Sequence, residues 1–299
     1  MAAPIALFVY NRPFHTMCTI TALANNVYAK DSELIIFSDG PKAESDNEQV
    51  AEVRNFIRTI SSFKSIRIVE SEVNKGLARS IIEGVTEVLK SSETIIVMED
   101  DLVTSPHFLQ YMNDGLNLYQ YEERVISIHA YVYPVKEELP ETFFIRGADC
   151  WGWATWKRGW QLFESDGAKL LRQLKSQNLT REFDFNGSYP YVRMLEEQIK
   201  RRNNSWAIRW YASAFLANRL TLYPGASLVQ NIGHDGSGTH SLKSNQNEYS
   251  VGLSPRKIVL EKIGLEENIA AKKIIAKFLK KQQSVVSAVI RKIKMFVTS

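Results

Sequence analysis

Apolar and polar positions along the first 130 residues follow two alternating periods. Short apolar runs occur at 4–10, 34–37, 66–69 and 94–98, rich in Ile, Val, Leu and Phe. Runs of this length and β-branched content predict strands buried on both faces. Between them, 13–24, 48–60 and 77–89 carry helical spacing, the last with Ile81, Ile82, Val85 and Val88 toward one side. Strand and helix in turn predict an α/β fold: a mostly parallel sheet flanked by helices. After Val125 the rhythm breaks. Short strands at 125–128 and 143–145 lead into a stretch holding Trp151, Trp153, Trp156 and Trp160, then helical segments near 188–202 and 210–219. No repeat or low-complexity linker separates the parts. The expectation is one domain with a regular half at 1–124 and an elaborated half at 125–245, followed by a tail at 246–299.

The tail has its own pattern. Apolar residues at 274, 275, 278, 279, 285, 286, 289, 290, 293, 296 and 297 keep to one helical face, flanked by eight Lys and Arg and no acid from 270 onward. A basic amphipathic helix of this kind suits an anionic membrane surface, with docking on the protein's own body or a dimer contact as the alternatives. Net charge is +4, from 37 Lys and Arg against 33 Asp and Glu, so removing the tail leaves 29 basic against 33 acidic residues. That balance argues against nucleic acid as a partner of the body. Cys18 and Cys150 are too few for a disulfide framework or a cysteine zinc site. No apolar stretch approaches the ~20 residues of a membrane span, and no leader is visible, so the sequence reads as cytoplasmic, with a peripheral place on the membrane face through 270–299.

In an open α/β sheet, ligands bind beyond the carboxyl ends of the strands. Those ends here read Tyr10-Asn11-Arg12-Pro13, Ser38-Asp39-Gly40 and Glu99-Asp100-Asp101. The first turn lacks Gly-x-Gly-x-x-Gly, and no Walker lysine loop occurs, which disfavours dinucleotide oxidoreductases and P-loop enzymes. Three adjacent carboxylates repel one another unless a cation compensates them. Carboxylate oxygens suit Mg²⁺ or Mn²⁺, which bridge to phosphates.

The segment 94–111, Thr-Ile-Ile-Val-Met-Glu-Asp-Asp-Leu-Val-Thr-Ser-Pro-His-Phe-Leu-Gln-Tyr, resembles the metal-binding segment of N-acetylglucosaminyltransferase I and its relatives. These are nucleotide-sugar-dependent glycosyltransferases of the GT-A fold, a Rossmann-like sheet. Similarity extends to Tyr10-Asn11-Arg12, Ser38-Asp39, Leu77-Ala78-Arg79 and Trp151-Gly-Trp-Ala-Thr-Trp156, and covers most of 4–240. The resemblance implies Mn²⁺ or Mg²⁺ held by Asp101, with Glu99 and Asp100 supporting metal and donor. It implies Asp39 accepting from the uracil imide of a UDP-sugar, and Arg12 and Arg79 near the nucleotide. Asn231-Ile-Gly-His-Asp-Gly-Ser-Gly-Thr-His240 resembles the glycine segment that closes over the donor, with Gly236 at the diphosphate and His240 rather than His234 at the metal. One of Trp151 and Trp153, with Trp153 preferred, is expected to stack on a sugar. The 1–124 half would then bind the nucleotide-sugar and the 125–245 half the acceptor, a glycan or a lipid-linked glycan of surface polysaccharide synthesis.

The pattern fails at the general base. The family places acids upstream of the glycine segment, where this chain has Trp206-Ala-Ile-Arg-Trp210, with Ala207 and Ile208 in the acidic positions. Glu196 and Glu197 lie nearby on an expected helix, and Glu197 is the named substitute. Two other readings stand beside the hexosyl- or N-acetylhexosaminyltransferase: a nucleotidyltransferase, which would normally carry a Gly-rich Arg/Lys loop after the first strand, and a scaffold that has lost activity.

Overall fold

The protein is described by a computed structural model covering residues 2–235 and 248–297, with side chains described to residue 283. Among the described residues ten strands form: β1 (Ile5–Val9), β2 (Glu33–Ser38), β3 (Ser65–Glu70), β4 (Thr94–Glu99), β5 (Leu102–Thr104), β6 (Val125–His129), β7 (Thr142–Arg146), β8 (Trp153–Trp156), β9 (Leu220–Pro224) and β10 (Val229–Asn231). Eight of them make one sheet in the order β3-β2-β1-β4-β8-β6-β9-β7. The β3-β2-β1-β4 block is parallel, as the alternating pattern requires. β8 then enters antiparallel between β4 and β6. β9 runs parallel to β6, and β7 closes the edge antiparallel to β9. The result is a GT-A, Rossmann-like mostly parallel sheet in which both halves of the chain share one set of strands.

Each face of the sheet is covered over β1, β2 and β4, which are apolar on both sides. β3, expected to be buried on both faces, is instead an edge strand with exposed or half-buried residues, its apolar run interrupted by Arg67 and closed by Glu70. The helix Leu77–Ser91 lays Ala78, Ile81, Val85 and Val88 on Ala6, Phe8, Ile35, Ile95 and Val97. On the other face the helices Pro13–Ala24, Asn47–Ile57 and Phe108–Leu118 close over Leu7, Leu34, Ile36, Ile96 and Met98. The tryptophans belong to the first of these cores. Trp153 on β8 has no exposed surface; it stacks on Trp206 at a ring separation of 5.5 Å and packs at a tilt against Trp160 and Trp210 at 5.9 and 5.6 Å. The expectation that Trp153 stacks on a donor sugar is therefore corrected: its indole faces are covered by other indoles.

The helix Ile269–Val297 forms as the tail pattern predicts. Its first turns do not wait for a membrane. Ala271, Ile275 and Leu279 are buried in a third core with Phe143, Leu170, Phe183 and Phe215. Lys272 pairs with Glu267 at 2.8 Å, and Lys277 with Glu137 at 2.8 Å. Docking on the protein's own body thus accounts for the near half of this helix. No helix among the described residues is long and apolar enough to cross a membrane.

One connection positions the site. β7 ends at Arg146 beside the start of β9, whereas β8 starts at Trp153 beside the end of β6. Residues 147–152 must cross the sheet between them. Gly147 and Gly152 bracket the crossing with φ of +111° and +64°, values that L-residues with a Cβ rarely adopt. A Cβ on Gly147 would also lie 2.2 Å from the Tyr211 ring. Gly147→Ala is expected to cost about 2 kcal/mol of stability from backbone strain and overpacking. Urea unfolding at neutral pH measures it.

Candidate active site

The site is built where β1 and β4 lie side by side and end together. Pro13 needs no N–H partner at the first helical position, so the chain turns into a helix directly after β1 and leaves Arg12 at the strand end. Across from it, β4 delivers Glu99, Asp100 and Asp101. The Arg12 guanidinium bonds Asp100 in a close ion pair and reaches Oδ2 of Asp101 at 3.0 Å. The Thr19 hydroxyl donates to the Asp100 carbonyl at 2.8 Å, tying the acidic turn to the first helix. Asp101 is held from its other side. The Ile232 amide donates to its carbonyl at 2.8 Å as an extension of the small β10-β5 ladder. The next residue, Gly233, passes so close that a Cβ there would lie 2.1 Å from Asp101 Oδ2.

Electrostatics follow from this crowding. Burial, and then the neighbouring charges of Asp101 and Asp100, push the Glu99 carboxyl up to about 8. Burial also pushes Asp100 up to about 6, against the pull of Arg12. Burial alone would lower the Arg12 pKa, but the two aspartates outweigh it and hold the guanidinium above its usual value. One arginine thus stands against three acids.

Asp39 ends β2, and its carboxylate gathers the next crossover. Oδ1 accepts from the Gly40 amide at 2.9 Å and the Lys75 amide at 2.8 Å, and Oδ2 accepts from the Gly76 amide at 2.8 Å. A cavity of about 550 Å³ opens beside it, between β3 and the helix Leu77–Ser91, with Ser71, Lys75 and Glu83 in its lining. A larger cavity of about 890 Å³ lies along the tail helix near Arg181 and Lys273 and includes none of Asp39, Glu99, Asp100 and Asp101.

His234 follows Gly233. Its ring stacks on Tyr249 at 5.8 Å and meets Trp151 edge-on at 5.4 Å. Burial lowers its pKa, partly offset by the charge of Asp101, which favours the neutral ring. Its Nε2 is buried without a hydrogen-bond partner. An orphaned imidazole nitrogen within the field of an aspartate is a donor pair that suits a divalent cation. Among the described residues no three His, Cys, Asp or Glu side chains are grouped to hold a metal by themselves. Two protein ligands fit a metal whose remaining positions are filled by phosphates and water. Asp101 and His234 therefore fit such an ion, on the condition that a phosphorylated ligand comes with it.

The other expected residues divide clearly. Arg79 lies in the solvent on its helix and pairs with Glu83 at 2.6 Å, so it is not brought to the acidic corner. Glu197 is likewise a helix-surface charge, paired with Arg193 at 3.0 Å, which corrects its assignment as general base. Gly236 and His240 lie outside the described residues. Asp235 is bonded to His15 at 3.1 Å.

Sequence reasoning missed Asp149. The crossing segment between Gly147 and Gly152 carries it over the sheet to the same edge, where Oδ1 accepts from the Cys150 amide at 2.8 Å. The Tyr223 hydroxyl faces Oδ2 at 3.4 Å, and His129 Nε2 lies 3.9 Å from Oδ1. The buried Cys150 thiol is pushed up by desolvation and by the charges of Asp149, Glu99 and Asp101 together. Trp151, two residues on, supplies the aromatic contact with His234 that Trp153 cannot. The only sequence signal was the glycine spacing around this acid.

Residues 5–153 match the family profile described as Glycosyl transferase family 2. No curated protein matches the chain. Among solved structures, S. aureus TarS residues 1–349 resemble it with a TM-score of 0.33 and 11% identity, over 58% of this chain and 49% of that one. A longer S. aureus TarS structure gives a TM-score of 0.30 and 16% identity, over 48% of this chain and 24% of that one. The chain thus spans about half and about a quarter of these two TarS structures. The mannosyltransferase PcManGT from Pyrobaculum calidifontis, in complex with GDP-Man and Mn²⁺, gives 0.36 and 13%, over 73% of this chain and 75% of that one.

Proposed function

We propose, on the premise that residues 5–153 make this chain a glycosyltransferase of GT-A fold, that it transfers a hexose or N-acetylhexosamine from a UDP-sugar to a glycan or lipid-linked acceptor, with Mn²⁺ or Mg²⁺ as cofactor. The observation that carries the reading is the corner itself: Arg12 against Asp100 and Asp101, with the orphaned Nε2 of His234 beside them. The likeness of 94–111 to the metal-binding segment of N-acetylglucosaminyltransferase I supports Asp101 as the carboxylate ligand, and the geometry favours His234 as its imidazole partner.

When bound, a divalent cation supplies Lewis-acid stabilisation of the charge that grows on the departing diphosphate. The chain's own groups do the rest. Arg12 offers phosphate oxygens the guanidinium N–H groups that it does not spend on Asp100 and Asp101, and a cation would offset the excess of acids around it. Asp39 orders the loop at Lys75 and Gly76, and its Oδ2, which takes one amide only, has capacity for the uracil imide. The acceptor enters from the β6-β9 side, past Trp151. Beyond the docked turns of the tail helix, Arg291, Lys292 and Lys294 suit an anionic membrane surface that would present a lipid-linked acceptor.

Thermal unfolding tests this reading. UDP with Mn²⁺ is expected to raise the melting temperature by several degrees, corresponding to about 2.7 kcal/mol at a hundredfold excess over Kd, and UDP with EDTA is expected to do much less. An inactive scaffold would show no metal-dependent shift.

A further inference from the structure

We infer that Asp149 is the general base of the transfer, set beside an aromatic wall that would take the acceptor; the assignment rests on the glycosyltransferase reading above. Direct displacement at a sugar's anomeric carbon needs a group to take the acceptor's hydroxyl proton. The acids expected for that task are absent, since Ala207 and Ile208 occupy their positions and Ile208 is buried in the helix Trp206–Leu216. Glu197 is spent on Arg193 and Asp235 on His15.

Asp149 differs from these in every respect that matters. Its side chain is a quarter exposed, and among the described residues no Lys or Arg pairs with it. Its one basic neighbour is His129, which is fully buried and whose pKa burial lowers. His129 Nε2 accepts the Trp151 amide at 3.2 Å, so that nitrogen has no proton to offer Asp149. The carboxylate is therefore left without a basic side chain paired to it, and the Cys150 amide orients it through Oδ1. A carboxylate kept partly dry without a basic partner is costly for a fold and useful to a reaction.

What surrounds it fits a sugar. Tyr131 and Trp151 meet edge-on at 4.7 Å, and Tyr133 packs on Tyr131 at 5.4 Å. Tyr189, Tyr191 and Tyr223 all lie within the field of Asp149. Tyr131 and Tyr223 are buried and back the wall, whereas Tyr133, Trp151, Tyr189 and Tyr191 keep part of their surface exposed, and exposed aromatic surface takes the C–H face of a pyranose. Trp151 joins this wall to His234, and Cys150 feels Asp149 and Asp101 at once, so the aromatic wall and the acidic corner are neighbours.

In the step assigned, the acceptor oxygen bonds to the anomeric carbon as the bond from that carbon to the β-phosphate oxygen breaks. The electron pair leaves with the nucleoside diphosphate, and the hydroxyl proton passes to Asp149. The product has inverted configuration.

The test uses water and azide as acceptors, with UDP-glucose, UDP-galactose and UDP-N-acetylglucosamine as donors and Mn²⁺ present. Asp149→Asn and Asp149→Ala are expected to keep the stabilisation by UDP and Mn²⁺ while losing donor hydrolysis by at least about 100-fold. Azide has no proton to lose, so it should restore turnover to Asp149→Ala and give a glycosyl azide inverted relative to the donor. Hydrolysis within threefold of the parent in either variant overturns the assignment. Loss without azide rescue, or an azide product of retained configuration, overturns it as well. If UDP and Mn²⁺ fail to stabilise the parent protein, the glycosyltransferase reading itself fails.

Discussion

Arg12→Ala in metal-free protein loses about 3–5 kcal/mol of folding stability at pH 8, and clearly less at pH 5.5. Removing one partner of a largely buried ion pair leaves the other charges uncompensated, which sets the size of the loss. Here the remaining partners are Asp100 and Asp101, with Glu99 beneath them. The pH dependence follows from the direction of the shifts. Glu99 and Asp100 have folded pKa values raised to about 8 and about 6, above their unfolded values. Between the folded and unfolded values the native state binds more protons, so these groups lower stability as pH rises. Without Arg12 that upward shift grows, and acidification relieves the repulsion by protonating the acids. Urea unfolding in EDTA at the two pH values reads the effect. A deficit of equal size at both would mean that Arg12 acts through packing and not through charge.

Gly233→Ala, by contrast, is expected to leave a folded protein that binds UDP with Mn²⁺ at least about 100-fold more weakly. The added methyl would lie 2.1 Å from Asp101 Oδ2 and 2.9 Å from an Arg12 nitrogen. Ile232 is fixed by its bond to the Asp101 carbonyl, so the side chains must give way. Turning Asp101 aside breaks its contact with Arg12 and displaces the proposed metal ligand itself, where disturbing merely an outer partner of a ligand already costs about 10–100-fold in metal affinity. Overpacking adds about 1–3 kcal/mol of destabilisation. Titrating UDP in the presence of Mn²⁺ by calorimetry measures the affinity. Parental affinity in the alanine variant would show that Asp101 has room to move, and that its present position is not the one that matters.

The parallel half of the sheet was readable because β1, β2 and β4 are apolar on both faces and its helices keep one period throughout, while β3 turned out to be an exposed edge. The acidic corner was readable for a related reason: a charge triplet at the end of a buried strand has few structural explanations. Trp153 shows where that reasoning stops. A tryptophan cluster looks the same in sequence whether it lines a pocket or fills a core, and only the insertion of β8 between β4 and β6 decides it. Arg79 and Glu197 were named from sequence position, yet each sits on the outward side of its helix and pairs with a residue four positions away. Asp149 was invisible for the opposite reason. Its importance comes from a crossing between distant strands, and nothing local distinguishes it from any loop acid except two glycines in the left-handed region.

The docking of the last helix limits how the chain can be shortened. Ala271, Ile275 and Leu279 fill the third core, and Phe278 touches Tyr133 at 5.6 Å and Tyr249 at 5.8 Å. A chain stopped at residue 268 would lose the cover of that core, and any change in its fractionation would report an unfolding protein and not a lost lipid contact. The informative deletion begins after Gln283, where the anchoring turns are complete and only the outer basic turns are removed.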